Sequence, residues 1–280
     1  MNLVIQSLDP IADTHLKPLT ALACSQQTER ADAGRVLRLR GADPLQRPDI
    51  DTYCRAHRLD YAFIDPTLRL SNFGLLAMDM DSTLITIECI DEIADFCGLK
   101  TEVAAITEES MRGEIKDFNE SLARRVALLK GLDASALERV YEERLRLSPG
   151  AKTMLAGANA AGLKTLLVSG GFTFFTEKLQ ARLGLDFTQA NTLEIVDGKL
   201  TGKVAGEIVN ADVKARTLRE TCARLGIDPQ RSIAMGDGSN DLKMMAEAGL
   251  SVAFRAKPVV RETAGLALNF VGLDGLLRPF

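Results

Sequence analysis

The segment DMDST at residues 79–83 places two carboxylates, Asp79 and Asp81, on either side of Met80 after a short apolar run. Such a run is typical of a buried parallel strand, and ligands of open parallel sheets bind beyond the carboxyl ends of the strands. The two carboxylates would repel each other unless a hard cation such as Mg²⁺ lay between them. One could then attack an electrophile while the other transfers protons. The alternative is an acidic turn whose hydroxyl residues cap the next helix.

A second candidate is the segment VSGGF, residues 168–172, at the end of a predicted strand. The Ser169 hydroxyl and the backbone N–H groups at Gly170 and Gly171 could hold a phosphoryl oxygen, and the following helix would add its positive end. The alternative is an ordinary glycine-rich turn between a strand and a helix.

Lys214 is the third candidate, in the segment NADVK, where Asp212 is predicted to be the N-cap of a helix. A lysine in the first turn opposes the helix dipole and gains nothing locally, so a phosphate partner would explain its position. The alternative is a solvated surface lysine.

The fourth candidate is the segment MGDGSND, residues 235–241, which sets polar side chains after an apolar strand and a glycine turn. Asp237 is a candidate metal ligand supported by Asn240 and Asp241, and an Asp-Gly turn with a helix cap is the alternative. The four segments occur in order at predicted strand ends. Together they supply a nucleophile, a hydroxyl, a lysine and metal-binding carboxylates, which are the parts of a phosphoryl-transfer site.

The elements that must position these segments alternate along the chain. Strands are predicted at residues 75–80, 164–169, 231–235, 250–254 and 267–271, and helices at 173–183 and 241–248. This alternation is typical of an α/β fold with a parallel sheet. Residues 88–147 have an almost continuous helical pattern, which predicts a helical block inserted after the first of these strands. Asp197-Gly198 between alternating residues predicts a hairpin over 191–204.

Composition narrows the chemistry. Of 280 residues only His15 and His57 are histidines, which excludes a histidine-rich zinc site and leaves carboxylates, hydroxyls, lysine, arginine or a hard cation. A net charge of −4 argues against broad nucleic-acid binding. The five cysteines form no CxxC pair, and we find neither an apolar run of membrane-spanning length nor a secretory signal pattern. We therefore expect a cytoplasmic location.

Residues 1–72 differ from the rest because short apolar pieces (LVIQ, RVLRLR, YAFI) alternate with turn-rich ones. We expect a small α+β module here, followed by the main domain at 73–280.

From about residue 74 onward the chain resembles the haloacid dehalogenase superfamily of phosphotransferases. DMDST, VSGGF, the lysine of DVK and GDGSND match that family in order and spacing, and the helical block at about 86–148 matches its inserted cap. The resemblance implies a Rossmann-like parallel sheet with a helical cap that chooses the substrate, and one Mg²⁺ ion. It is nearest to the members that hydrolyse phosphoserine, the last step of serine biosynthesis, through an aspartyl-phosphate.

The resemblance also implies roles for individual residues of the core. Asp79 would be the nucleophile and Asp81 the proton carrier. The phosphate would be bound by Ser169, Gly170, Lys214 and Asn240. The metal would be held by Asp79, Asp237 and the backbone carbonyl of Asp81.

In the cap, the resemblance implies that Glu88 binds the substrate ammonium group and Arg125 its carboxylate, while Met111 and Phe118 shield the site from water. The stretch from Met111 to Phe118 is one residue longer than is usual in the family. Residues 1–72 resemble, more faintly, an amino-terminal extension of ACT-like βαβ character. Amino-acid binding and a structural or homodimerising role are both open for that module.

Alternative functions also remain open at this point. The same chemistry could transfer the phosphoryl group to homoserine or act on another small phosphomonoester. A regulatory amino-acid-binding protein with a vestigial site is the alternative from a different class, and the intact Asp79, Asp81, Lys214 and Asp237 argue against it.

Overall fold

The computed structural model describes residues 1–111, 114–115 and 117–280, with only the backbone of Ser110 and Met111. In these residues the strands are β1 Asn2–Gln6, β2 Gln27–Ala31, β3 Val36–Arg40, β4 Asp60–Ile64, β5 Leu75–Met78, β6 Lys164–Phe172, β7 Phe187–Val196, β8 Lys199–Ala205, β9 Ser232–Gly236, β10 Leu250–Phe254 and β11 Leu266–Leu268. The helices are α1 Leu16–Leu22, α2 Arg47–Ala56, α3 Cys89–Asp95, α4 Lys100–Met111, α5 Phe118–Leu128, α6 Ser135–Arg139, α7 Ala151–Ala160, α8 Thr173–Leu183, α9 Ala211–Leu225, α10 Leu242–Glu247 and α11 Pro258–Thr263. None of these helices is long and apolar enough to cross a bilayer.

The core is a parallel sheet in which β11, β10, β9, β5, β6 and β7 lie side by side. Every residue of β5 and of β9 is buried, as expected for parallel strands covered by helices on both faces. The predicted parallel α/β architecture is therefore confirmed. The strand over 250–254 and the helix over 173–183 have the predicted bounds.

The hairpin predicted around Asp197-Gly198 is also present, formed by β7 and β8. Both turn residues have positive φ, 49° and 74°, which is the backbone conformation of a type I′ turn. Strand β8 extends the sheet beyond β7 as an antiparallel edge.

The helical block leaves the core after β5 and returns before α7. The two connecting segments pair with each other, since Thr86 N–H donates to the Arg146 carbonyl (3.0 Å) and Ser148 N–H to the Leu84 carbonyl (3.0 Å). Between them lie α3, α4, α5 and α6. The loop after α5 is bound to β8, because Gly131 N–H and the Leu200 carbonyl lie 2.8 Å apart. The hairpin thus anchors this helical cap to the core.

The first four strands form an antiparallel sheet in the order β2-β3-β1-β4, with α1 and α2 as crossovers. This is a pair of interlocked split βαβ units, as in ferredoxin-like folds. Strand β4 also pairs antiparallel with β11, so one eleven-stranded sheet runs through the described residues. This continuity was not foreseen from the sequence, and neither was β2, whose residues are almost all exposed.

Asp60, the first residue of β4, stabilises the junction between β4 and the segment that follows β11. It is 1% exposed, and its carboxylate accepts hydrogen bonds from the backbone N–H groups of Asn269 (2.8 Å), Phe270 (2.9 Å) and Val271 (3.0 Å), and from the Asn269 side chain. Burial raises the pKa of Asp60, and these N–H groups oppose the rise. One side chain of the first sheet therefore satisfies three consecutive backbone donors after β11.

Replacing Asp60 by alanine should lower the free energy of unfolding by about 3 kcal/mol, because three buried N–H groups lose their acceptor. Urea unfolding followed by circular dichroism measures this. Asp9→Ala is the matched control, since Asp9 is exposed and its side chain forms no hydrogen bond or ion pair with the described part of the chain. Equal unfolding curves for the two variants would contradict the anchoring role of Asp60.

Candidate active site

The carboxyl ends of β5, β6, β9 and β10 meet at a cavity of about 470 Å³ that also has the cap as a wall. The structure brings most of the predicted residues to this cavity. The lining includes Asp79, Asp81, Glu88, Phe118, Arg125, Ser169, Gly170, Asp237 and Asn240. The strand-end rule therefore predicted correctly that these side chains lie close together, and their roles stay a prediction.

Asp79 follows the last residue of β5 and lies beneath the cavity, 5% exposed. Its Oδ1 accepts from Met80 N–H (2.7 Å) and lies 2.8 Å from Lys214 Nζ. Lys214 is fully buried and also donates to Asp241 Oδ1 at 2.7 Å. Lys214 is thus not a solvated surface lysine but the buried counter-ion of two carboxylates.

The charges around Lys214 explain the direction of two pKa shifts. Burial alone would lower the pKa of Lys214, but Asp241 and Asp79 outweigh it and raise the pKa above the usual lysine value. Burial and the neighbouring Asp241 raise the pKa of Asp79 to about 8, and Lys214 opposes that rise. A further positive charge beside Asp79 would favour its ionised form.

Three carboxylates, those of Asp79, Asp237 and Asp241, offer oxygen atoms that all lie within 4.8 Å of one another. With Lys214 they carry a formal charge of −2 when ionised. Burial and Asp241 raise the pKa of Asp237 to about 6. Both oxygens of Asp241 are engaged, by Lys214 Nζ and by Gly238 N–H, whereas Asp79 and Asp237 each keep one without a hydrogen-bond partner among the described residues.

This donor set fits a divalent cation. Hard carboxylate oxygens are the ligands of Mg²⁺, and a charge of +2 balances the excess negative charge of the cluster. Because Asp241 is engaged elsewhere, Asp79 and Asp237 are the better candidates for direct ligands. The Asp81 side chain lies outside this cluster; its backbone carbonyl as a metal ligand stays a prediction.

Asp81 also lines the cavity and lies in a wide turn formed by Met80–Leu84. Its Oδ1 accepts from Cys89 N–H at 3.4 Å, and its Oδ2 faces the backbone of Gly171. Burial and the nearby Glu88 raise the pKa of Asp81 well above the usual aspartate value. A carboxyl group held protonated in this place can donate a proton.

The Ser169-Gly170-Gly171 segment lies within the last part of β6 and lines the cavity. The Ser169 hydroxyl accepts from Gly171 N–H (2.8 Å), and a Cβ at Gly171 would lie 2.7 Å from Met80 and 2.8 Å from Asp81. Only glycine allows this approach. The segment is fixed by the buried Asn191, which donates to the Gly170 carbonyl at 2.7 Å.

The cap reaches the core next to this glycine segment. The Phe118 ring packs over Gly170, so that a Cβ at Gly170 would lie 3.1 Å from the ring. Asn119 accepts a hydrogen bond from Asn210 Nδ2 at 3.1 Å. Phe118 therefore covers the strand end, as the predicted shielding role requires, and its role stays a prediction. Met111 ends α4, and its side chain lies outside the described residues.

Glu88 and Arg125 face the cavity from the cap. Glu88 accepts a hydrogen bond from the Ser82 hydroxyl at 2.6 Å. Desolvation between the cap and the core raises the pKa of Glu88, and its carboxylate faces the cavity. The Arg125 guanidinium donates to the Ser121 carbonyl and forms no ion pair with a carboxylate of the described residues. Burial lowers the pKa of Arg125, while the more distant Asp91, Glu88 and Asp81 favour its charge.

Some features of the site differ from the sequence-based prediction. The N-cap of α9 is Asn210, not Asp212, because the Asn210 side chain accepts from the N–H groups two and three residues ahead. Asn191 was missed because nothing in a strand sequence reveals a buried amide that supports a neighbouring loop. Lys257 was missed although it follows the predicted strand over 250–254, so the same strand-end rule could have found it.

A parallel α/β core with an inserted helical cap and an acidic site at the strand ends is typical of one family of hydrolases. The sequence pattern of the haloacid dehalogenase-like hydrolases matches residues 76–246. The chain belongs to the haloacid dehalogenase-like hydrolase family. A second pattern, described as a domain of unknown function (DUF4072), matches residues 3–50.

Within this family the similarity is closer to particular proteins. The chain is 58% identical over 217 residues, 76% of its length, to a Polaromonas sp. protein named phosphoserine phosphatase, of which it covers 92%. A haloacid dehalogenase family hydrolase of Salmonella enterica serovar Typhi matches 99% of this chain and 98% of its own with TM-score 0.90 at 37% identity. A substrate-bound phosphoserine phosphatase matches 74% of this chain and 98% of its own with TM-score 0.70 at 38% identity.

Proposed function

We propose that this protein hydrolyses O-phosphoserine to serine and phosphate through an aspartyl-phosphate on Asp79. The observation that carries the proposal is the cavity itself. At its floor Lys214 lies buried between Asp79 and Asp241. At its wall, near Glu88, lies Arg125, which forms no ion pair with a carboxylate of the described residues. The floor suits phosphoryl transfer, and the wall suits the carboxylate and ammonium groups of an amino acid.

Asp79 supplies the nucleophile. Met80 N–H and Lys214 Nζ both contact its Oδ1 and so orient the carboxylate for an in-line attack on phosphorus. The new Asp79 O–P bond forms as the bond between phosphorus and the serine oxygen breaks. Because Lys214 is itself fixed by Asp241, the nucleophile is held in one orientation at little entropic cost.

Asp81 supplies the proton transfers. As a protonated carboxyl group it gives its proton to the departing serine oxygen, which leaves as the neutral alcohol. The resulting carboxylate then takes a proton from the water that attacks the phosphorus of the aspartyl-phosphate. Breakage of the Asp79 O–P bond releases phosphate and restores both aspartates.

The charge on the transferring oxygens is stabilised by donors of the glycine segment and by the lysine. We assign the Ser169 hydroxyl, the Gly170 N–H group, Lys214 and Asn240 to this task. Asp79, Asp237 and the Asp81 carbonyl would hold Mg²⁺, and when bound the ion supplies neutralisation and alignment of the phosphate.

The cap supplies specificity. Glu88 is placed to bind the ammonium group, and Arg125 to bind the carboxylate bidentately. Phe118 covers Gly170, and with Met111 it would shield the aspartyl-phosphate from unproductive solvent.

Replacing Arg125 by alanine should raise the KM for O-phosphoserine by about 100-fold, the cost of a lost charge-assisted bidentate contact. 4-Nitrophenyl phosphate has no carboxylate, so its KM should change by less than about 3-fold. Steady-state kinetics on both substrates measures the difference. Arg124→Ala is the matched control, because Arg124 is exposed and pairs with Glu120 on the same helix. Equal losses on both substrates would contradict carboxylate recognition by Arg125.

We also propose a division into an amino-terminal module at 1–72 and a phosphatase domain at 73–280, with the cap at about 86–148. The βαββαβ topology of the first four strands and the pairing of the cap's connecting segments support it. The five cysteines are all free, which supports a reducing, cytoplasmic environment.

A further inference from the structure

Lys257 lies in the loop after β10, the fourth of the strands whose carboxyl ends meet at the cavity. It follows β10 by three residues and is the N-cap residue of α11. Its backbone N–H donates to the Asp237 carbonyl at 3.0 Å, which fixes this loop beside the acidic cluster. Its side chain is exposed and lines the cavity. Lys257 is therefore held by its backbone, and its ammonium group remains open at the rim.

The charges that line the cavity are unbalanced. Among the residues that the structure describes, five acidic ones line it, namely Asp79, Asp81, Glu88, Asp91 and Asp237, and two cations do so, Arg125 and Lys257. The third cation nearby, Lys214, is engaged by two carboxylates beneath the floor. A phosphomonoester that enters carries a dianionic phosphate group, which the ionised carboxylates of this lining repel and a cation at the rim attracts.

Lys257 is not engaged in an ion pair within the described residues. It adjoins the cavity on two counts, because its backbone N–H donates to the Asp237 carbonyl and its side chain is part of the lining. The ammonium group is thus near the core side of the cavity, next to the loop of Asp237. Arg125 belongs to the cap side.

We propose that Lys257 is a substrate-binding residue that draws the phosphate group of the substrate into the cavity and contacts it there. The inference rests on the proposed phosphatase function. Arg125 is already assigned to the carboxylate, and Lys257 adjoins the carboxylate cluster on which the phosphate must lie. Its contribution therefore concerns the phosphate group, which every phosphomonoester shares, and not the amino-acid part.

A positive charge at this place has opposite effects on two ligands. It attracts the anionic phosphate, and it repels a divalent cation that binds at Asp79 and Asp237. Removing the charge should therefore weaken phosphate binding and leave Mg²⁺ binding unchanged or tighter. A variant that merely damaged the Asp237 loop would weaken both. The backbone hydrogen bond to Asp237 persists in an alanine variant, so the loop should keep its form.

The test compares Lys257→Ala and Lys257→Arg with wild type in the full-length protein. KM and kcat are measured for O-phosphoserine and for 4-nitrophenyl phosphate. The inhibition constant is measured for inorganic phosphate, and Mg²⁺ binding is measured by calorimetry without substrate. Lys152→Ala is the control, since Lys152 is exposed on α7 and does not line the cavity.

For Lys257→Ala we expect KM to rise about 5- to 20-fold on both substrates, with kcat within about 3-fold of wild type. The inhibition constant of inorganic phosphate should rise by a similar factor, and Mg²⁺ should bind as tightly as in wild type or more tightly. The Lys257→Arg variant should keep most of the wild-type affinity for substrate and phosphate. Unchanged KM and phosphate inhibition would overturn the proposal, as would parallel weakening of phosphate and Mg²⁺. If wild type cleaved only 4-nitrophenyl phosphate, the phosphoserine assignment would fail, and the 4-nitrophenyl phosphate and phosphate data would still decide the role of Lys257.

Discussion

Asp79→Asn is expected to lower the turnover of O-phosphoserine by at least about four orders of magnitude. The amide is nearly isosteric but cannot form the aspartyl-phosphate, and the loss of a nucleophile removes the whole covalent route. The change also removes one negative charge from the cluster of Asp79, Asp237 and Asp241, so the fold should not be weakened. Phosphate release measured with saturating Mg²⁺ checks the loss, and urea unfolding checks the fold.

A matched control for this variant is Asp49→Asn, which alters an exposed aspartate in the first turn of α2. It should keep full activity. Turnover by Asp79→Asn within about 10-fold of wild type would contradict the assignment of the nucleophile. In that case a directly attacking water would have to replace the covalent step.

Asp81→Asn should have the second largest effect, and the effect should depend on the leaving group. Serine leaves as a strongly basic alkoxide unless it receives a proton, so turnover of O-phosphoserine should fall by about 10³-fold. 4-Nitrophenolate is a much weaker base and needs no proton. With 4-nitrophenyl phosphate the first step should stay fast while hydrolysis of the aspartyl-phosphate, which lacks its base, becomes slow.

Rapid-quench or stopped-flow measurement of 4-nitrophenolate tests this. We expect a burst of about one equivalent per active site, followed by a slow steady state. Absence of a burst together with an equal loss on both substrates would show that Asp81 does not act by proton transfer. The raised pKa of Asp81, caused first by burial and then by Glu88, is the structural basis for expecting the protonated form.

Much of the site could be predicted because its signals are local. Asp79 and Asp237 each follow a strand whose apolar run is visible in the sequence, and Ser169 follows the apolar run within β6. Parallel strands bring their carboxyl ends together. The strand over 250–254 and the turn at Asp197-Gly198 likewise follow from short patterns. The α/β architecture follows from the order of these elements.

The features that could not be predicted depend on contacts between distant residues. The burial of Lys214 depends on Asp241, which is 27 residues further along the chain and shares its ammonium group. The continuous sheet depends on β4 pairing with β11 and on the hydrogen bonds that Asp60 accepts from residues 269–271. No periodicity within β4 or β11 specifies the partner strand, because both edges present the same backbone groups.

The helix that carries Lys214 shows how local signals can also mislead. Asp212 and Asn210 are both good N-cap residue types, and the sequence alone does not rank them. The structure places Asn210 at the cap, where its side chain also donates to Asn119 of the cap domain. A tertiary contact therefore contributes to the position of the N-cap, in addition to the hydrogen bonds within the helix.

The measurement that tests the central proposal most directly is the release of phosphate from O-phosphoserine by the purified protein, with Mg²⁺ and with Mg²⁺ removed by chelation. We predict stoichiometric formation of serine and phosphate that requires Mg²⁺, with no phosphohomoserine formed when homoserine is added. Failure to release phosphate from O-phosphoserine while another phosphomonoester is cleaved, or transfer of the phosphoryl group to homoserine in place of water, would contradict it.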